Sequence, residues 1–343
     1  MRKILIFVIL CLPVCMQAQD DAVLVNGIYY NLLETEKAGV MFAEVTSPSR
    51  GVYSGRIVIP SSITYKGENY FVASIGNGAF SDCKNLTSIT ISKWVMKIGR
   101  VAFSGCENLT SITIPGSTTS NAIGLVYIGV GAFENCYNLT SIFIPASVES
   151  IGKDADAFDG CEGLISINVE SGNKNYSSID GVLFNKNKTS LICCPKNKTG
   201  NYIIPNSVTS IGHNAFDGCK GLTSIFIPNS VTRIYNNAFG DCKSLTSITI
   251  PESVTSIGNK LFSYCSSLTS ITIPESVTNI GEEAFSACPH LASVTVQWTT
   301  PLNIPSNVFM KGKTIIQLNV PQGTEAIYKK ADVWKDFGAI VEY

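Results

Sequence analysis

A short apolar motif recurs about every 23 residues along most of the chain, and this repetition constrains the fold more than any other feature. Each of its eight copies contains a Phe, then a Cys three residues later and a Leu three residues after the Cys. A unit of this length cannot bury its own apolar side chains, so it must stack on its neighbours. The anchoring aromatic residues are Phe80, Phe103, Phe133, Phe158, Phe216, Phe239, Phe262 and Phe285.

The spacing of apolar residues inside each unit predicts the course of the chain. Leu222, Ile225 and Ile227 follow the Leu-x-x-Ile-x-Ile pattern, which is typical of a short strand with one buried face. The Val-x-x-Ile-Gly-x-x-Ala-Phe segment that follows has a spacing near that of a turn or helix. Stacked copies would place like residues over like, about 4.8 Å apart. The sequence therefore predicts a repeat solenoid, mostly β with short helical or turn segments and a parallel sheet on one face.

These copies resemble a known class of repeat. The Leu222-x-x-Ile225-x-Ile227 stretch is similar to the strand of a leucine-rich repeat, and the unit with its Cys and Ala-Phe resembles the treponemal, BspA-like class. The resemblance covers about residues 60–297. It implies a right-handed leucine-rich-repeat-like stack in a bacterial surface or secreted protein, with a role in adhesion or protein binding. In contrast to the wider class, the ladder Asn is replaced by Ser147, Ser207, Ser230, Ser253 and Ser276.

The segments outside the clear repeats are interpreted as a leader and two caps. Such caps would cover the open ends of the stack. We predict a signal peptide at 1–18, an N-terminal β cap at 19–60, the solenoid at 61–297 and a C-terminal cap at 298–343. A hairpin with its turn at 67–69 would lead into the first unit. The C-terminal cap is expected to contain a strand at 313–320, a short amphipathic helix at 323–337 and an edge strand at 339–343.

Residues 171–202 form a degenerate unit inside the predicted solenoid. Its segment IDGVLFNKNKTSLICCP predicts two strands joined by an Asn- and Lys-rich turn. This hairpin would project from the solenoid or thicken it. Loops inserted into repeat arrays often contact partners, but a surface insertion is also tolerated at little cost in stability. Both interpretations stay open at this point.

The first residues have the pattern of a secretory signal. Arg2 and Lys3 precede an apolar run at 4–12, and Ala18 stands where a signal peptidase could cut. The run is too short to span a bilayer, and no later segment approaches the roughly 20 apolar residues of a transmembrane helix. We therefore predict a secreted or cell-surface protein. Lipoprotein anchoring at Cys15 is the alternative, although the residue before it is bulkier than a lipobox requires.

Charge and composition exclude several classes of function. The formal net charge is −1, and no basic run favours nucleic acid. His213 and His290 are the only histidines and no Cys-x-x-Cys occurs, which argues against a metal site. Neither histidine has a nucleophile motif or an evident carboxylate partner. We therefore expect no metal, no cofactor and no enzyme activity.

Ten cysteines follow the predicted leader, and eight of them share one repeat position. The stacking distance would suit a disulfide. Buried Phe and Leu flank the position, however, and in such surroundings Cys behaves as a small apolar residue. We predict buried free thiols at Cys83, Cys106, Cys136, Cys161, Cys219, Cys242, Cys265 and Cys288. For the adjacent Cys193 and Cys194 we expect one side chain to point in and the other out.

The outward residues of the strands predict the binding surface. The first outward position is Ser in all eight copies, and the second is mostly Thr. Exposed aromatic rings on a rigid face suit partner binding, so Phe143 and Phe226 are the predicted anchors. Alternatively, Ser-x-Thr only reflects strand-forming residues copied by duplication. The predicted partner-binding residues are Thr90, Thr113, Phe143, Asn168, Phe226, Thr249, Thr272 and Thr295.

These observations together predict an exported, non-catalytic protein that binds a protein or a glycan through its solenoid surface, with adhesion to host or other cells as one such role. A monomer is the expected state. A passive envelope or matrix scaffold is the alternative function, and an enzyme is the third interpretation.

Overall fold

The computed structural model describes residues 22–34, 40–116, 124–152, 156–310 and 317–343. The predicted signal peptide, including Cys15, lies outside these ranges. The chain divides into two compact units, Met1–Gly181 and Val182–Tyr343. In each unit the coils contribute strands to a front sheet, which holds the Leu-x-x-Ile-x-Ile segments, and shorter strands to a back sheet. The predicted solenoid with parallel sheets is confirmed.

The first unit builds its front sheet in two sections. The described strands are β1 (Val23–Val25), β2 (Ile28–Glu34), β3 (Met41–Thr46), β4 (Gly55–Val58), β5 (Ser62–Tyr65), β6 (Glu68–Ile75), β7 (Leu86–Thr90), β8 (Lys97–Ile98), β9 (Ser111–Thr113), β10 (Tyr127–Ile128), β11 (Ser141–Ile144), β12 (Ser150–Ile151), β13 (Ser166–Val169) and β14 (Tyr176–Ile179). A 3₁₀ turn spans Asp156–Phe158. The front sheet consists of β4-β7-β9 and, separately, β11-β13. The back sheet has the order β1-β2-β3-β6-β8-β10-β12, with β5 paired to β6.

The second unit has one continuous front sheet. Its described strands are β15 (Val182–Asn185), β16 (Ser190–Cys193), β17 (Thr199–Ile203), β18 (Ser210–Ile211), β19 (Gly221–Phe226), β20 (Arg233–Ile234), β21 (Ser247–Thr249), β22 (Ser256–Ile257), β23 (Ser270–Ile273), β24 (Asn279–Ile280), β25 (Ser293–Val296), β26 (Gln317–Val320) and β27 (Ala339–Glu342). The front sheet has the order β17-β19-β21-β23-β25-β26-β27, and every pair in it is parallel. Strands β15-β16-β18-β20 and β22-β24 form the back sheet.

The predicted hairpin of the degenerate segment is β15 and β16, which pair in antiparallel fashion. The Asn185 side chain fixes its turn by accepting hydrogen bonds from the backbone N–H groups of Thr189 and Ser190, at 2.9 and 3.0 Å. β16 continues in parallel pairing with β18, and β17 pairs in parallel with β19. The segment therefore thickens the stack of the second unit and does not project from it.

The N-terminal hairpin is β5 and β6, and its turn differs from the predicted one. Tyr65 is in register with Glu68, so the turn residues are Lys66 and Gly67, with φ of 50° and 88°. The prediction of a turn at 67–69 was therefore wrong by one residue. β4, which falls within the predicted cap at 19–60, pairs in parallel with β7.

The predicted helix at 323–337 is interrupted in the structure. It consists of α1 (Glu325–Tyr328) and a 3₁₀ turn (Trp334–Asp336), and Val333 between them has a φ of 70°, which no α-helix allows. The break lets the Trp334 indole enter the core, where its Nε1 donates to the Leu302 carbonyl at 2.7 Å. The expected last strand is confirmed as β27, and the expected strand at 313–320 is described only from Gln317 onward.

The stacking in register produces the expected ladders of like residues. In the second unit Ser247 lies opposite Ser270, and Thr249 lies opposite Thr272. The anchoring Phe rings stack nearly parallel in both units, with centroids 5.0 Å apart for Phe80–Phe103 and 5.3–5.5 Å along Phe216, Phe239, Phe262 and Phe285. Tyr53 and Phe309, which lie outside the eight sequence copies, extend these ladders at 4.7 and 5.4 Å.

The cysteine ladder is buried, and its thiols are free, as predicted. Most ladder thiols donate to the carbonyl of the Phe one coil earlier, as in Cys106 to Phe80 at 3.1 Å and Cys242 to Phe216 at 3.2 Å. Cys219 follows the degenerate unit and donates to the carbonyls of Cys194 and Pro195 instead, both at 3.7 Å. Burial raises the pKa of the Cys106, Cys242 and Cys265 thiols, and it raises the pKa of Cys288 to about 11. Cys194 is buried and Cys193 is half-buried, which agrees with one side chain in and one out.

In most coils, the residue two positions before the anchoring Phe and the residue two positions after it have left-handed backbone. Gly, Asn and Asp, which tolerate this conformation, occupy many of these positions. Others carry residues that L-amino-acid sterics disfavour there: Val101 (φ 46°), Tyr264 (φ 61°) and Ala287 (φ 57°). The tight turn on either side of the core Phe is thus a requirement of the fold, and some coils meet it with strain.

Candidate partner-binding site

The front sheet of the second unit presents one outward row of residues in register across its strands. We name it the second-unit row, and its members are Ile203, Phe226, Thr249, Thr272, Thr295, Asn319 and Val341. Four of the predicted site residues, Phe226, Thr249, Thr272 and Thr295, belong to it. The strand pairing therefore brings these four together on one face.

Phe226 has an apolar neighbour that the sequence reasoning missed. Ile203 on β17 is directly opposite Phe226 on β19, and the two side chains are 72% and 59% exposed. Residues opposite each other on paired strands have side chains in contact range. The available signal was Ile204-Pro205, which repeats the Ile-Pro after Phe226 and so places Ile203 at the same outward position.

A groove of about 750 Å³ lies beside Phe226. Its sheet side is formed by Ser224, Phe226, Ser247 and Thr249, and its other side by residues that follow the strands: Asn206, Pro228, Asn229, Ser230 and Pro251. Of the described residues that line it, none carries an ionisable side chain. Such a groove offers hydroxyl and amide groups beside one exposed aromatic ring, and it has no charge of its own.

Ser230 in this groove departs from the serine ladder of its coils. The equivalent hydroxyls of Ser253 and Ser276 donate to the carbonyls of Val231 and Val254, at 2.6 and 2.8 Å. The Ser230 hydroxyl is buried and makes no hydrogen bond within the described structure. Buried hydroxyls are nearly always paired, so this one stands out as an unused polar group.

The first unit holds the other predicted site residues in a different setting. Thr90 and Thr113 are exposed and opposite each other on β7 and β9, and Phe143 is opposite Asn168 on β11 and β13. Phe143 is only half-buried, not open as Phe226 is. Its ring lies against Gly116, where an added Cβ would be 3.6 Å from Phe143 Cε1. The two predicted anchors are therefore not equivalent.

Many exposed hydroxyls of the sheets serve the fold. Thr110 donates to the Thr87 carbonyl at 3.1 Å, and Thr246 to the Thr223 carbonyl at 3.3 Å. At the far end of the second-unit row, the Asn319 amide donates to Ser293 and Thr295, at 2.9 and 3.0 Å. The hydroxyl of Thr295 therefore already has a protein partner.

The residues considered for catalysis or metal binding are scattered. The His213 ring lies on Tyr235 with centroids 4.8 Å apart, and His290 Nδ1 lies 2.6 Å from the Ser266 carbonyl oxygen. Over the described ranges, no three His, Cys, Asp or Glu side chains are grouped closely enough to hold a metal ion. No helix in the described part of the chain is long and apolar enough to cross a membrane.

Comparison with known proteins defines the class. The family model of the BspA type leucine rich repeat region matches residues 56–187 and 192–316 in six copies. The chain therefore belongs to the BspA-type leucine-rich repeat family. This family and this fold are those of repeat proteins, which are generally non-catalytic. No curated protein matches the chain significantly.

Solved structures share the fold. The pneumococcal vaccine antigen PcpA has a TM-score of 0.63 at 21% identity, covering 94% of this chain and 98% of that one. A leucine rich cell surface protein from Faecalibacterium prausnitzii has a TM-score of 0.56 at 25% identity, with coverages of 90% and 96%. A leucine-rich repeat protein from Eubacterium ventriosum has a TM-score of 0.58 at 24% identity, with coverages of 94% and 92%.

Proposed function

We propose that the protein is an exported, non-catalytic binding protein whose second-unit row recognises a protein or a glycan, as an adhesin of the cell surface or a secreted factor. The single observation that carries the proposal is the pair Ile203 and Phe226, which are in register and largely exposed, with Phe226 lining an uncharged groove. Exposed large apolar side chains grouped on a rigid face favour a partner.

Export is supported by the N-terminal pattern of Arg2, Lys3 and the apolar run at 4–12. The similar structure from Faecalibacterium prausnitzii is described as a cell surface protein. Binding, not catalysis, is supported by the family and by the scattered positions of the two histidines. The Thr residues of the second-unit row would extend the contact area beyond the apolar pair without adding charge.

The test compares two matched sites. The chain without residues 1–18 is labelled and offered to a panel of extracellular matrix proteins, whole bacteria and immobilised glycans. Phe226→Ser and Ile203→Ser should each abolish most of the binding. Val58→Ser is the control, because Val58 is 67% exposed at the corresponding position of the first unit. Binding that survives in all three variants would remove the second-unit row from the mechanism, and no binding in the whole panel would favour a passive scaffold.

A further inference from the structure

The groove beside Phe226 has a chemical character that distinguishes among partners. Its lining combines an exposed aromatic ring, the amides of Asn206 and Asn229, and the hydroxyls of Ser224, Ser247 and Thr249. A charged partner would find no opposite charge there to replace its lost hydration. A purely apolar partner would bury the amides and hydroxyls without hydrogen bonds, which is unfavourable.

The residues after the strands show where this neutral character ends. Each of four successive coils continues past its Ile-Pro with one polar residue: Asn206, Asn229, Glu252 and Glu275. All four are exposed. The two amides line the groove. Glu252 directly follows the lining residue Pro251 at the edge of the groove, and Glu275 belongs to the next coil along the sheet. Acidic ligands that extend beyond the groove would therefore meet negative charge.

We propose that the ligand of this groove is an uncharged oligosaccharide, whose ring stacks on Phe226 while its hydroxyl groups bond to Asn206, Asn229 and Ser230. The inference rests on the proposed function and narrows its partner class. A sugar ring has one face of C–H groups, which suits the negative face of an aromatic ring. Its edge carries hydroxyls that both donate and accept, and these match amide and hydroxyl side chains.

The unpaired hydroxyl of Ser230 supports this assignment independently. If Ser230 had only a structural role, its hydroxyl would form a hydrogen bond within the ligand-free protein, as the hydroxyls of Ser253 and Ser276 do. A side-chain rotation of Ser230 toward the groove would give the hydroxyl a partner on a bound sugar. Binding sites typically place a few polar groups beside a mainly apolar surface, and volumes of about 300–1,000 Å³ are usual for them.

The decisive variants separate the aromatic ring of residue 226 from its apolar character, because Phe226→Tyr keeps the ring and Phe226→Leu keeps only an apolar side chain. Binding is measured by saturation-transfer NMR and titration calorimetry on the chain without residues 1–18. The probes are maltotriose, cellotriose, lacto-N-tetraose and triacetylchitotriose, with sialyllactose as the acidic comparison. We expect at least one neutral probe to bind and sialyllactose not to bind. Phe226→Tyr should retain the affinity, and Phe226→Leu should lower it about tenfold, because only the ring can stack.

The matched control is Tyr137→Leu, which replaces an exposed aromatic ring of the first unit outside the predicted binding surface and should leave binding unchanged. Asn229→Ala should weaken binding, with an unchanged melting temperature to show that the fold is intact. If no neutral probe binds, or if Phe226→Leu binds as well as the natural residue, the oligosaccharide assignment is wrong. A protein ligand that tolerates Phe226→Leu but not Phe226→Ser would overturn this inference and leave the proposed function standing.

Discussion

The front sheet of each unit starts with the same short motif, Gly55-Arg56-Ile57-Val58-Ile59-Pro60 in the first and Gly200-Asn201-Tyr202-Ile203-Ile204-Pro205 in the second. Both glycines have left-handed backbone, with φ of 70° and 77°, and both are followed by a shift in strand register. Both motifs also present an exposed β-branched residue, Val58 or Ile203. The two units therefore begin alike.

They differ in how the sheet continues. The front sheet of the second unit runs unbroken from β17 to β27, but that of the first unit is divided between β9 and β11. The spacing from Phe103 to Phe133 is 30 residues instead of 23, so this coil carries the insertion. Gly116 at its start covers one edge of Phe143. A regular repeat exposes its outward aromatic residue, and an irregular one partly covers it.

The largest effect is expected from the aromatic ladders that both units share. Phe239→Ala in the second unit and Phe133→Ala in the first each remove a ring buried between two others. Each should lower the free energy of unfolding by about 3–5 kcal/mol in urea titrations. The exposed Phe226→Ala should change it by less than about 0.5 kcal/mol. The Phe133 and Phe158 ring centroids are 6.0 Å apart, so this ladder is more loosely spaced. A small loss of unfolding free energy for Phe133→Ala alone would therefore show that the first unit tolerates a cavity.

The thiol ladders should make the protein sensitive to alkali. The thiol of Cys288 has an ordinary pKa of 9.0 and burial raises it to about 11 in the folded protein. Its contribution to stability is therefore complete below pH 9 and is lost as the pH rises from 9 to 11, by about 1.4 kcal/mol per pH unit. Urea midpoints measured from pH 7 to pH 10.5 should fall accordingly.

Alanine variants test whether the thiols of both units share this behaviour. Burial raises the pKa of Cys106 in the first unit and of Cys265 in the second. Cys106→Ala and Cys265→Ala should each reduce the alkaline loss of stability relative to the unchanged chain. A urea midpoint that does not depend on pH in this range would contradict the burial of the ladder. Alkylation at pH 8 should be slow in the native protein and complete in urea.

The predicted anchors provide a direct comparison of the two front sheets. Phe226→Ser should lower partner affinity by ten- to thirtyfold, since burying one aromatic ring contributes about 2 kcal/mol, and should leave the melting temperature unchanged. Phe143→Ser should instead lower the melting temperature by a few degrees, because it removes the contact of the ring with Gly116. Calorimetry and thermal melting on both variants would check this. Equal effects on binding would mean that the two Phe act alike.

The smallest effects concern the strained turns around the core Phe. Val101→Gly in the first unit and Tyr264→Gly in the second should each raise stability by about 0.5–1 kcal/mol, because glycine adopts φ of 46° or 61° without a steric penalty. Gly218→Ala, at a φ of 71°, is the reverse control and should lower it by a similar amount. Thermal melting would detect these shifts. Destabilisation by either glycine would mean that the lost side-chain contacts outweigh the relief of strain.

Much of the fold could be predicted because the repeat is local and periodic. The Leu-x-x-Ile-x-Ile spacing required short strands, and stacking of equal units required the Phe, Cys and Ser ladders in register. The free thiols followed from their apolar neighbours. The interrupted C-terminal helix was not predictable, since the left-handed Val333 depends on where the Trp334 indole finds space in the core.

The sequence by itself determined the class of protein, the period of the coils and the uncharged outward face with Phe143 and Phe226. Only the tertiary structure decided that Ile203 stands opposite Phe226, that a groove opens beside Phe226 and that the Ser230 hydroxyl makes no hydrogen bond within the described structure. It also decided that Gly116 covers part of Phe143. The physical reason is that a periodic pattern fixes which residues face outward, whereas their exposure depends on neighbouring coils that insertions and degenerate units alter.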